Sequence, residues 1–141
     1  MAKGISLLEV AWAARFFDGE GHIRFKPRPN LGLKLIVAVG GGHDPELLLR
    51  FQTAIGNVGH IHGPYNHKRG KPYYALEVTV AKDVIASIEL LAPYLGTVKR
   101  TQAQAAIDMY FSAGGGVGSG RWGLRKGVIP SEDPRGLFPP L

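Results

Sequence analysis

The period of the hydrophobic positions changes repeatedly along this chain, and each change marks an element. Ser6, followed three residues later by Glu9, fits a capping box. A helix is therefore predicted to begin near Leu7, to carry Leu8, Ala11, Trp12 and Phe16 on its apolar face, and to stop between Asp18 and Gly21. Beyond it the period falls to two. His22, Arg24, Lys26 and Arg28 alternate with Ile23, Phe25 and Pro27, the pattern of a strand with one basic face and one mostly apolar face. Pro27, Pro29, Asn30 and Gly32 predict a turn, and the Leu, Ile and Val content of residues 33–39 predicts the returning strand.

Asp44-Pro45-Glu46 supplies a capping oxygen, a preset φ and an acid at a helix start, after which Leu47, Leu48, Phe51 and Ile55 follow helical spacing up to Gly56. A second hairpin follows, with a strand near residues 59–63, a basic tip over 66–70 and a return over 72–80. A third helix is predicted over residues 82–91 before Pro93, and a fourth from a cap at Thr97 through Ala113 to the glycines at 114–116. The order is αββαββαα, an α+β domain over residues 1–113. Residues 114–141 shift to Gly, Pro, Arg and Ser and read as a C-terminal tail. Trp122 and Leu124, set between Arg121, Arg125 and Lys126, allow that tail to be an arm that orders on DNA or a solvated tail that packs partly on its own domain.

Composition narrows the function. A chain of 141 residues, 45% hydrophobic, suits one core. It has no apolar run of 18 residues and its start lacks the layout of a signal peptide, so an intracellular location is expected, in cytoplasm, nucleoid or an organelle matrix. The absence of cysteine excludes disulfides and thiolate-held zinc. Seventeen Lys and Arg against 11 Asp and Glu give a formal charge of +6 and suit an anionic polymer. The distribution sharpens this: residues 22–34 hold four basic residues and no acid, and residues 60–71 hold three basic residues, three histidines and no acid. A solvated sheet face would explain any single lysine, but not four basic side chains on one strand face. His22, His60, His62 and His67 lack the spacing of a zinc site.

The segment WAARFFDGEGHIRF is a helix ending in acid, small residue, acid, glycine, and Ala13 to Gly21 resembles the motif of the single-motif LAGLIDADG homing endonucleases. HDPELLLRFQTAIG, a glycine-flanked hairpin and PYLGTVKRTQAQAA follow in that family's order, so the resemblance covers about residues 5–112. It implies an antiparallel sheet that forms a DNA-binding saddle and a homodimer joined through the motif helix, with Trp12, Ala14, Phe16 and Phe17 at the interface. It implies metal-dependent double-strand cleavage of a long pseudopalindromic site. The second acid, Glu20, would hold the ion with the main chain of Gly19, while Asp18 would be structural, capping the helix end or bonding nearby backbone. Lys99 would act beside the scissile phosphate, and the cofactor would be Mg²⁺ or another divalent cation such as Mn²⁺. Double-stranded DNA would meet Arg24, Lys26, Arg28 and Asn30 from the first hairpin and His60, His62, Lys68, Arg69, Lys71 and Tyr73 from the second. The chain departs from the family pattern at Arg15, where glycine is usual, and at Gly40-Gly41-Gly42, where a polar residue is common. Those departures favour an alternative, a DNA- or RNA-binding protein of the same fold that does not cut, such as a regulator or an intron splicing cofactor.

Overall fold

The computed structural model describes residues 6–28, 30–39, 45–66 and 72–116. Helix α1 (Leu7–Glu20) leads into strand β1 (Gly21–Lys26), which turns into β2 (Gly32–Val39). Helix α2 (Glu46–Ala54), strands β3 (His60–Tyr65) and β4 (Tyr73–Val78), helix α3 (Ala81–Leu91), a 3₁₀ turn (Ala92–Tyr94) and helix α4 (Thr97–Ser112) complete the order. The predicted sequence of elements holds, with the 3₁₀ turn added where Pro93 interrupts the helical hydrogen bonds.

The strands form one antiparallel sheet in the order β1-β2-β4-β3. Their alternation sets two faces. Ile23 of β1, Leu33, Leu35 and Val37 of β2, and Leu76 and Val78 of β4 enter the core beneath the helices. His22, Arg24 and Lys26, of opposite parity on β1, are exposed. Gly59 approaches the sheet at φ +84°, where a Cβ would lie 2.7 Å from the Glu77 carbonyl oxygen, so the chain enters β3 only through a glycine.

Several faces differ from the sequence expectation. Helix α1 does begin at the Ser6 cap, whose Oγ accepts from the Glu9 N–H. Its buried face, however, is Val10, Ala13, Ala14 and Phe17, and Leu8 is 83% exposed. The helix is apolar on nearly every side, so period alone could not choose a face. In α2 the buried residues are Leu48, Phe51 and Ala54, and Leu47 is exposed. Asp44, its expected cap, lies outside the described residues, as do the glycines at 40–42. Strand β1 ends at Lys26, leaving Arg28 in the turn that Pro27 opens. Thr97 is the first helical residue of α4 and not its cap; Gly96 holds that position.

Aromatic packing joins α1 to α2. Trp12 stacks on Phe16 at 5.1 Å, and Phe16 and Phe17 both meet the Phe51 ring. Arg50 lies 3.8 Å over the Trp12 ring while its Nε and Nη2 each donate to a Glu9 carboxylate oxygen at 2.8 Å. Among the described residues no helix is long and apolar enough to cross a membrane.

Candidate nucleic-acid interface and acidic centre

The junction of α1 and β1 is built around Gly21. A Cβ there would sit inside the ring of Phe17, which is itself fully buried and cannot withdraw. The Gly21 N–H donates to the Phe17 carbonyl, closing the helix and releasing the chain directly into the sheet. Glu20, the last residue of α1, is thereby left exposed at the corner.

Asp18 fixes that corner to α4. Its Oδ1 and Oδ2 accept from the Gly96 N–H at 3.0 and 3.2 Å. Gly96 lacks a side chain to cap its own helix, and Asp18 provides the capping oxygen across 78 residues of sequence. A carboxylate there also meets the positive end of α4. Asp18 is structural, as the resemblance implied, but through a remote main-chain group and not its own helix end. Lys99 follows in the first turn of α4, with its Nζ donating to Gln102 Oε1 at 3.3 Å. Its charge reaches the start of β1: the His22 imidazole is held below its usual pKa first by burial, then by the charges of Arg24 and Lys99. The carboxylate of Glu20 and the ammonium of Lys99 thus belong to two helix ends tied together through Asp18 and Gly96.

From this corner the open face of the sheet extends as registered rows. Arg24 pairs with Lys34 across β1 and β2. The next row runs His22, Ile36, Glu77, His60, and the one after it includes Ala38, Ala75 and His62. Arg24, Lys26, His60 and His62 are all exposed there, and Arg28 and Asn30 are exposed in the β1–β2 turn. Tyr73 is half-buried, with its ring 5.1 Å from that of Tyr65. Lys68, Arg69 and Lys71 lie outside the described residues, as do His67 and residues 117–141. Two members of the face escaped the sequence reading. Lys34 shares the parity of the basic positions once β2 is registered on β1, and Glu77 is the carboxylate that β4 brings among these cations.

Two of the four residues expected at the interface are taken into the protomer's own core, and the other two are partly buried. Ala14 and Phe17 are fully buried in the protomer's own core, and Trp12 and Phe16 pack against α2. The exposed side of α1 is instead Leu8, Arg15 and Gly19, with Ala11 partly covered between them. These positions recur every three or four residues and form one stripe.

No protein-family model matches the chain. Among solved structures, it is similar to the homing endonuclease I-CvuI in complex with its target in the presence of 2 mM Ca: TM-score 0.60 and 23% identity, covering 76% of this chain and 68% of that one. The chain has the LAGLIDADG homing endonuclease fold. A second structure of that fold, I-CvuI with the I-CreI target in 2 mM Mg and the DNA not cleaved, also gives a TM-score of 0.60 at 23% identity, covering 75% and 68% of the two chains. The LAGLIDADG meganuclease I-AabMI, bound to uncleaved DNA, gives 0.57 at 21% identity, over 73% of this chain and 35% of its own. In sequence, the chain is 25% identical over 104 residues to the intron-encoded DNA endonuclease ai2b of Dictyostelium discoideum, covering 74% of this chain. It spans 39% of the length of that relative.

Proposed function

We propose that this protein is a site-specific DNA endonuclease that acts as a homodimer and makes a metal-dependent double-strand break at a long pseudopalindromic site. The observation that carries the reading is the Asp18–Gly96 contact, which sets the Glu20 end of α1 against the Lys99 end of α4 at the margin of a basic sheet face. An antiparallel sheet presenting Arg24, Lys26 and Lys34 suits the major groove of a duplex, where side chains reach base edges. The solved proteins of this fold reported above are bound to DNA, and the ai2b relative is an endonuclease by name.

A divalent cation fits the donors. Glu20 offers a carboxylate, and the Gly19 carbonyl belongs to the last turn of α1, where oxygens lack helical partners. Mg²⁺ takes few protein ligands and completes its shell with water and phosphate oxygens. With Glu20 and the Gly19 carbonyl as the protein's donors, water and phosphate oxygens would fill the remaining positions. A bound cation would supply an activated water and neutralise the leaving oxygen. Lys99 stabilises charge developing on the phosphate, Asp18 holds both ends in register, and the sheet cations hold the duplex.

Cutting two strands requires two copies of Glu20. The seam between protomers is the stripe Leu8, Ala11, Arg15 and Gly19, the side of α1 that the protomer leaves uncovered. Arg15 lies within that stripe and favours a second reading, a DNA- or RNA-binding protein of this fold that does not cut, because two guanidinium groups at a close helix seam repel. Glu20→Gln decides between them. The variant should bind duplex DNA as the wild type does and lose cleavage; equal loss of both would remove Glu20 from its assigned role, and a wild type that binds and never cuts would establish the second reading.

A further inference from the structure

We propose that Glu77 reads a cytosine in the major groove, accepting a hydrogen bond from its N4 amino group. The inference rests on the DNA-binding reading above and assigns a base to one position of that face. Glu77 stands in the centre of the sheet, directly opposite Ile36 on β2 and His60 on β3. Lys34 Nζ at 3.7 Å and His62 Nε2 at 3.9 Å both approach its Oε1 from diagonal positions. Both contacts are longer than a hydrogen bond, and the Glu77 side chain stays 25% exposed on the open face, so the pairs are weak structural links and the carboxylate can still be reached.

On a face that meets DNA, a carboxylate is repelled by every phosphate, so its place there calls for a donor on the bases. A carboxylate only accepts hydrogen bonds. The major groove presents amino donors on cytosine N4 and adenine N6, and adenine sets its N7 acceptor beside the amino group, where it opposes a carboxylate. Cytosine has no such neighbour. Lys34, against the same carboxylate, is a donor suited to the N7 and O6 acceptors of guanine, the partner base of that pair. Glu77 and Lys34 together match the donor and acceptor order of one C·G pair.

The test is parallel selection from a randomised duplex library in Ca²⁺, using the full chain and its Glu77→Gln and Glu77→Ala variants and sequencing bound molecules. The wild type should enrich cytosine roughly tenfold at one position of each half-site. Glu77→Gln should move that position to adenine, which an amide pairs through N6 and N7, and Glu77→Ala should lose the preference there alone. N4-methylcytosine at the same position should weaken wild-type binding, a result that depends on no variant folding. Wild-type enrichment left unchanged in both variants, or indifference to N4-methylation, would overturn the assignment while leaving DNA binding intact; no enrichment by the wild type would overturn both.

Discussion

Removing the Asp18 carboxylate tests how the two halves of the candidate site are held together. The group accepts from one N–H, that of Gly96, at the start of α4. Gly96 is exposed, so water can take up the N–H once Asp18 is gone and no buried donor is stranded. The loss is then that of a helix cap, about 1 kcal/mol, plus roughly 0.3–1 kcal/mol for the negative charge at the positive end of the helix. Asp18→Ala should therefore destabilise the fold by about 1–2 kcal/mol, which in a domain of this size lowers the melting temperature by about 5–10 °C. Asp18→Asn keeps an acceptor oxygen and removes the charge, so it should lose only roughly 0.3–1 kcal/mol. Thermal and urea unfolding followed by circular dichroism separate the two. At a temperature where both variants are folded, Asp18→Ala should lower the cleavage rate more than duplex affinity, since the sheet contacts remain. A melting curve for Asp18→Ala that overlies the wild type would refute the cap, and equal loss in both variants would place the effect in charge alone.

Gly21→Ala should destabilise by about 1–3 kcal/mol, because the new methyl meets the buried Phe17 ring; an unchanged urea midpoint would contradict the packing described for this corner. The His22 resonance should titrate below the ordinary value of 6.5, and Lys99→Met should raise its midpoint; a midpoint indifferent to Lys99 would separate α4 from β1 electrostatically. Hydrogen bonding to Arg50 holds the Glu9 carboxyl below its ordinary value of 4.5. The unfolded chain therefore takes up the proton first as pH falls, so the pair contributes fully above the ordinary value and is lost as pH drops through the lowered one. Glu9→Gln should lose stability near neutral pH and converge with the wild type in acid, and a difference constant across pH would refute the ion pair. Chelation of divalent cations should stop cleavage and spare duplex binding; cutting that persists in excess chelator would remove the metal from the account.

What the sequence disclosed followed from how strongly each segment constrained its own neighbours. The first strand alternates charged and apolar residues so regularly that Arg24 and Lys26 declared their face before any partner strand was known. Helix α1 carries apolar residues on almost every side, so its face was decided by tertiary packing: Phe17 and Ala14 went inward and Leu8 outward. Glu77 and Lys34 could not be paired from sequence, because their contact depends on β2 and β4 becoming neighbours across the second helix and the second hairpin. The role of Asp18 was hidden for the same reason. An acid near a helix end suggests a local bond, while the N–H that actually donates to Asp18 is that of Gly96, 78 residues away at the cap of another helix.

The most direct test of the central claim is incubation of the purified protein with a randomised duplex library in Mg²⁺ and, separately, in Ca²⁺, with sequencing of both bound molecules and cut ends. The expected result is inverted-repeat sites bound in either ion and cut at a fixed stagger in Mg²⁺. Inverted-repeat sites that are enriched and left intact in Mg²⁺ would contradict it.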